Sequence, residues 1–220
     1  MVLLVLLIFV MNTTLLQSSQ LHSKNQETFT SDSTYWENRW KKDETGWDIG
    51  YPSPAITEYL EKITDKNLAI LIPGCGNAYE AEYLFRNGFT NVTLIDIAPS
   101  VVKMLKNKFS YDPQIEVKNE NFFDHEGRYD LILEQTFFCA ISPDLRSDFV
   151  KKASELLKPN GKIVGLLFNR EFQQSPPYGG SSAEYKFLFE PYFELKKMEN
   201  CYNSIPERQG AELFIHFIKK

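Results

Sequence analysis

Two glycines and one acid carry the most chemistry in this chain. Gly74-Cys75-Gly76 closes the apolar run Leu68-Ala69-Ile70-Leu71-Ile72-Pro73, and Asp96 closes the run Asn91-Val92-Thr93-Leu94-Ile95. Glycine has no Cβ, so a turn built on two of them lets the backbone approach a ligand closely. An acid at the next strand end, about twenty residues on, suits the two hydroxyls of a ribose. Tyr79 stands where G-x-G-x-x-G would place its third glycine. A bulky residue there argues against NAD and for a shorter cofactor. A plain strand-to-helix turn would use the same two glycines; the placement of Asp96 favours the ligand reading. The other reactive residue types are scattered. Cys75, Cys139 and Cys201 show neither CxxC nor Cys/His metal spacing and read as free thiols in a reducing compartment. His22, His125 and His216 suggest no metal site. No Ser/His/Asp or Cys/His arrangement for nucleophilic catalysis stands out.

A glycine turn followed by a strand-end acid, without the third glycine, is the pattern of S-adenosylmethionine (SAM) enzymes. Positioning it takes alternating strands and helices. The segment from Ala78 to Arg86 keeps helical apolar spacing after the turn, and Pro99 opens a helix carrying Val101, Val102, Leu105 and Phe109. Ile115–Val117 and Tyr129–Leu133 read as the third and fourth strands. The fourth is apolar throughout except for Asp130, as a strand covered on both faces should be. Ser142-Pro143-Asp144 starts a helix, with Ser142 as cap and Leu145, Phe149, Ala153 and Leu156 as its buried stripe. Lys158-Pro159-Asn160-Gly161 ends it. Lys162–Phe168 is a fifth strand. Residues 169–182 form a loop long enough to cover a site, and a helix spans Ser182–Phe189. Tyr192–Glu199 and Ala211–Ile218 close the chain as an antiparallel pair. The fold class is α/β: a Rossmann-like, doubly wound, mostly parallel sheet. Its strand ends bring Gly74, Asp96, Asn121-Phe122 and Glu134-Gln135 to one edge, where such sheets bind ligands.

Ahead of the first strand, Ser33–Lys41 reads as a short helix with Ser33 or Asp32 as cap. It carries Trp36 and Trp40 on one face, and Trp47 follows in a polar loop with Asp43 and Gly46. A Trp pair at this spacing serves core packing or a cofactor box. A second helix, Ala55–Lys62, comes after Pro52 and Pro54.

Length and charge bound the rest. With 220 residues and 43% hydrophobic content, the chain builds one sizeable domain, placed at residues 33–220. A net charge of −5 implies no broad basic face for nucleic acid. Residues 1–32 form a separate tail. Met1–Met11 is apolar but too short to span a bilayer as a helix, so no stable membrane association is expected. It is either the core of an export signal or the result of a start codon assigned too early. No basic residue precedes Lys24, and no Ala-x-Ala-like site follows. The expected location is cytoplasmic unless the run is a signal. Residues 12–32 are polar and Ser/Thr/Gln-rich.

Larger patterns occur together from Tyr35 to the C-terminus. They are Trp36-x3-Trp40-x6-Trp47, Leu71-Ile72-Pro73-Gly74-Cys75-Gly76, Asp96-Ile97, Phe122-Phe123 and Phe138-Cys139-Ala140-Ile141-x-Pro143-x2-Arg146. After them come Leu156-Leu157-Lys158-Pro159-x-Gly161, Pro176-Pro177-Tyr178 and Ile205-Pro206-x-Arg208-x-Gly210-x-Glu212. In this order they resemble the thiopurine S-methyltransferase family, and within it the plant-type thiol, thiocyanate and halide methyltransferases. The resemblance implies a monomeric SAM-dependent methyltransferase with a seven-stranded sheet, an antiparallel last strand and an N-terminal lid. It implies that Trp36, Trp40, Trp47, Gly74, Gly76, Asp96, Asn121, Phe122 and Gln135 bind SAM. It places Arg208 and Arg146 on the acceptor side, with a small-molecule acceptor and no metal. Asn121 stands where an Asp is common, and its amide oxygen can still accept a hydrogen bond. Gln135 stands where the family has an aromatic residue, which makes the pocket more polar.

Rival readings stand beside these. Arg146 either meets an anionic acceptor or pairs with Asp148 or Glu134, and Arg208 either meets it or pairs with Glu212. Replacing Arg208 is expected to lower turnover of anions and to leave SAM affinity nearly unchanged. Pro176-Pro177-Tyr178 is similar to the Asp/Asn-Pro-Pro-Tyr motif of DNA and protein amino-methyltransferases. That motif follows the fourth strand, where this chain has Glu134-Gln135-Thr136-Phe137, so nucleic acid is set aside as substrate. Methyl transfer from a sulfonium to a soft anion needs little or no general base, in keeping with the residues present. A SAM-binding sensor without turnover is the alternative function.

Overall fold

The computed structural model describes residues 33–220. The expected tail, residues 1–32, and a cap at Asp32 lie outside the described residues. The elements run α1 (Ser33–Lys41), α2 (Pro54–Glu61), β1 (Ile70–Pro73), α3 (Tyr79–Arg86), β2 (Val92–Asp96), α4 (Pro99–Lys108) and β3 (Ile115–Asn119). They continue with β4 (Tyr129–Gln135), α5 (Arg146–Leu156), β5 (Leu157–Phe168), α6 (Ser182–Phe189), β6 (Phe193–Asn200) and β7 (Glu212–Lys219). The sheet has seven strands in the order β3-β2-β1-β4-β5-β7-β6. The first five in the chain pair in parallel, and β7 runs antiparallel to both β5 and β6.

Burial explains the strands. Every residue of β1 and β2 is buried, because helices cover both faces of the sheet. On one face Ile56 and Leu60 of α2, Ala81 and Leu84 of α3, and Val101 and Leu105 of α4 pack on Ile70, Leu94 and Leu133. On the other, Phe149 and Ala153 of α5 and Tyr185 and Phe189 of α6 pack on Leu71, Ile132 and Phe217. The chain order reverses between β1 and β4, which leaves a crevice at the carboxyl ends of those strands.

Two local expectations are corrected. The Ser142 side chain accepts no capping hydrogen bond; Pro143–Leu145 forms a 3₁₀ turn and α5 starts at Arg146. Proline presets φ for such a turn without needing the cap. Lys158–Gly161 does not separate α5 from the next strand either. Leu157 already pairs with Tyr129, and the register shift between Tyr129 and Leu131 absorbs the Lys158–Gly161 stretch inside β5. Asp130, near the start of β4, explains this anchoring: its Oδ2 accepts from the Ala69 N–H (2.9 Å) and the Lys158 ammonium (2.7 Å).

Gly165 sits opposite Glu134 in the β4–β5 ladder. A Cβ there would meet the Glu134 carbonyl oxygen at 1.9 Å, and backbone in a central strand has no room to retreat. Gly165→Ala is therefore expected to cost about 3 kcal/mol or more, measured as a shifted urea midpoint. An unchanged midpoint would show that the central strands yield.

Candidate functional site

The turn after β1 is wound by three left-handed residues, Gly74 (φ 55°), Gly76 (φ 50°) and Ala78 (φ 53°). Alternation of this kind turns successive N–H groups toward one side and makes a small anion-binding concavity. The Gly76 N–H donates to Asp96 Oδ2 (3.1 Å) and the Ala98 N–H to Asp96 Oδ1 (2.9 Å). Asp96 is buried, which pushes its carboxyl above the ordinary range, and the N–H donors of Ala98, Gly76 and Ile97 oppose that shift. Each oxygen keeps acceptor capacity for a further donor.

The space above the two glycines is filled by aromatic rings. A Cβ on Gly74 would strike the Phe137 ring at 2.4 Å, and one on Gly76 would touch the Trp40 ring at 3.4 Å. Glycine here makes room for the ring that roofs the turn, as well as for a ligand.

The end of β4 is built around Glu134. Its Oε1 accepts from the Phe137 and Phe138 N–H groups (both 2.9 Å), while Oε2 is buried and has no partner among the described residues. Burial pushes this carboxyl up to about 8 against those two donors. Beside it Gln135 Oε1 is also buried without a partner among the described residues. Thr136 follows at φ 61°, a left-handed position that strains a β-branched residue by about 1–3 kcal/mol. Its carbonyl accepts from the Cys139 thiol (3.2 Å).

On the β3 side, Asn121 Oδ1 accepts from the Phe123 N–H (3.0 Å). The Phe122 side chain is buried, stacked on Phe149 at 4.9 Å and edge-on to Phe137 at 5.4 Å. The ring thus belongs to the core, which leaves its backbone as the part that can meet a ligand.

Residues 33–50 lie over this edge. Trp47 meets Trp36 and Trp40 edge-on at 5.4 and 5.7 Å, and Arg39 stacks over Trp47 at 5.3 Å. Two acids fasten the segment to helix starts. Glu37 Oε2 accepts from the Ser100 N–H and hydroxyl (both 2.9 Å) at the first turn of α4, and the Ser100 N–H holds its carboxyl below the usual value. Asp48 Oδ2 accepts from the Asn77 amide and the Tyr79 hydroxyl (3.2 Å) beside α3. The Ser33 hydroxyl donates to the Ile97 carbonyl (2.8 Å). Sequence reasoning missed Glu37, Asp48 and Phe137. Acids set beside the tryptophans were the available signal for the first two.

The two arginines part company. Arg146 is buried and donates to Glu184 (2.6 Å) and to the Gly179 and Tyr178 carbonyls (2.7 and 3.4 Å). Its acidic partner is Glu184 of α6, not Asp148 or Glu134, because Arg146 faces the Pro176–Gly180 loop rather than along α5. Arg208 donates to the Trp47 carbonyl (2.7 Å) and to Glu212 Oε1 (3.4 Å).

A family model described as "Thiopurine S-methyltransferase (TPMT)" matches residues 31–216. The chain belongs to the thiopurine S-methyltransferase family. It is a SAM-dependent methyltransferase. It is 33% identical over 184 residues to a probable thiol methyltransferase 2 of Arabidopsis thaliana, covering 80% of this chain and 81% of that protein. It is 28% identical to thiocyanate methyltransferase 1 of the same plant, with the same coverage. A thiopurine S-methyltransferase of Acinetobacter baylyi is 21% identical, over 80% of this chain and 92% of that protein. The fold matches a Burkholderia thailandensis 1,6-didemethyltoxoflavin-N1-methyltransferase solved with S-adenosylhomocysteine. The TM-score is 0.70 and the identity 16%, covering 86% of this chain and 87% of that one. Among the described residues, no group of three or more His, Cys, Asp or Glu is placed to hold a metal ion, and no helix is long and apolar enough to cross a membrane.

Burial holds Glu134 protonated in the fold up to about pH 8, whereas in the unfolded chain the carboxyl ionises near 4.5. Between those values the folded state binds the extra proton, so stability from this residue falls as pH rises through the window. Glu134→Gln keeps an oxygen acceptor for Phe137 and Phe138 and cannot ionise. The stability difference between wild type and this variant, read from urea midpoints at pH 5 and pH 8, is expected to shift in favour of the variant at pH 8. An identical difference at both pH values would remove Glu134 as a titrating group.

Proposed function

We propose that residues 33–220 form one domain that methylates a small, soft, anionic nucleophile such as a thiolate, hydrosulfide, thiocyanate or iodide. What supports this is the Gly76 N–H bond to the Asp96 carboxyl, the Trp40 ring against the Gly74–Gly76 turn, and the Gln135 oxygen, buried without a partner among the described residues. These residues fit SAM. The Asp96 oxygens suit ribose hydroxyls, the backbone at Asn121 and Phe122 suits an adenine edge, and the buried Gln135 oxygen wants a donor such as an ammonium. When bound, SAM would supply an electrophilic sulfonium methyl, with S-adenosylhomocysteine as the leaving group that keeps the electron pair of the broken carbon–sulfur bond.

The protein's own part is to orient, to desolvate and to favour charge. Trp36, Trp40 and Trp47 exclude water, and an aromatic face near a sulfonium contributes about 0.5–2 kcal/mol per well-placed ring. Arg208 offers donors to an anion entering a partly dry site. Arg146 holds the loop on the acceptor side through Glu184 and the Tyr178 and Gly179 carbonyls, and its Nε is buried without a partner among the described residues. No general base is required for a nucleophile that arrives ionised. The thiol and thiocyanate relatives support this acceptor class, and family membership makes turnover, rather than SAM sensing alone, the activity to test. We place the enzyme in the cytoplasm as a monomer, with no nucleic-acid substrate.

Incubating the full chain with methyl-labelled SAM and thiocyanate, hydrosulfide, iodide, chloride, alcohols and amines tests the acceptor. The soft anions are expected to be methylated, above chloride, with alcohols and amines inactive; alcohols or amines as best acceptors would end the soft-anion reading. Asp96→Ala is expected to weaken SAM binding by about 1.5–3 kcal/mol in calorimetry, the loss of charged hydrogen bonds. Equal affinity would take Asp96 out of the site.

A further inference from the structure

All three tryptophans of the chain lie in the segment 33–50 that covers the cleft. Ser33, Glu37 and Asp48 fasten this segment to the half of the sheet that carries Ile97, Ser100 and Tyr79. Arg208 fastens it to the other half. It stands in the 3₁₀ turn Pro206–Arg208 just before β7, and one of its amino groups donates to the Trp47 carbonyl at 2.7 Å. The other reaches Glu212 Oε1 at 3.4 Å, and the guanidinium lies over the Phe168 ring at 5.6 Å. Glu212 is 3% exposed, and it pairs in the ladder with Phe168 at the end of β5. A buried carboxylate and a ring therefore fix the fork before it meets the cover.

We propose that Arg208 is a positioning residue that latches segment 33–50 over the cleft through the Trp47 carbonyl, with Glu212 setting the direction of the guanidinium. A guanidinium carries five N–H donors, and these two bonds use two of them. The remaining donors are available to an anionic acceptor, so a single fork joins the cover to the acceptor side. Its removal opens the cover as well as weakening the hold on the anion. This departs from the expectation that a change at Arg208 spares SAM. It rests on the reading above only in taking the cleft to hold SAM or its product.

Because every tryptophan is in the cover, acrylamide quenching of tryptophan fluorescence, excited to the red of tyrosine absorption, reports the cover alone. Arg208→Met keeps the apolar stem over Phe168 and loses every donor. It is expected to raise quenching in the ligand-free protein and to speed S-adenosylhomocysteine dissociation by about tenfold. Arg208→Lys, which keeps a cation and a donor, is expected to return both toward wild type. If Arg208→Met does not fold, the double variant Arg208→Met/Glu212→Leu, which leaves no lone buried carboxyl, carries the same reading. Wild-type quenching and dissociation in a folded variant without the guanidinium would overturn the latch, and so would equal loosening by Met and Lys. A protein that binds no S-adenosylhomocysteine would overturn the SAM reading of the cleft instead. Quenching without ligand would still decide the latch.

Discussion

The bond from the Gly76 N–H to Asp96 Oδ2 is the contact on which the cleft depends. It ties the turn after β1 to the end of β2, two strands whose every residue is buried. A buried carboxylate without partners would be costly; here three backbone donors satisfy it and fix its direction. The left-handed winding at Gly74, Gly76 and Ala78 brings the Gly76 donor into place. The same winding admits the Phe137 ring over Gly74, which couples the β1 turn to the strained end of β4. Glu134 in turn holds that end by two backbone bonds. The site is thus assembled from turns that share partners rather than from independent loops.

The cover follows the same logic on a larger scale. Its helix is short, has no fully buried residue and has little to hold it in isolation. It is ordered by what it touches: its Glu37 meets Ser100 at the start of α4, its Asp48 meets Asn77 and Tyr79 beside α3, and its Trp47 carbonyl meets Arg208. Acids near helix N-termini gain from the macrodipole, and such contacts are individually modest and salt-sensitive. A cover held this way can open for ligand exchange without disturbing the sheet beneath it.

Much of the fold was legible because both periodicities were clean. The buried strands read as unbroken apolar runs, and the predicted helices Ser33–Lys41 and Ser182–Phe189 match the observed bounds. Failure came where tertiary contacts override local signals. Ser142 looked like a cap, but the 3₁₀ turn at Pro143 makes one unnecessary. The helix does end before Lys158, but the fifth strand, expected from Lys162, already starts at Leu157, because Asp130, distant in sequence, draws Lys158 into it. Within the site, Gly74, Gly76 and Asp96 were readable from residue type and spacing. The partners of Arg146 and Arg208 were not, because Glu184 and the Trp47 carbonyl lie far along the chain and a backbone carbonyl leaves no mark in a sequence. Tyr79 was read as evidence of what the turn does not bind; its hydroxyl in fact serves the cover through Asp48.

The central claim is that one cleft, at the edge where β1, β2 and β4 end and beneath residues 33–50, receives the adenosyl cofactor. Hydrogen–deuterium exchange of the full chain with and without S-adenosylhomocysteine tests it directly. The account predicts slowed exchange confined to segments 33–50, 74–79, 96–98, 119–123 and 134–138. Protection centred instead on α2 and β7, or none at saturating ligand, would contradict it.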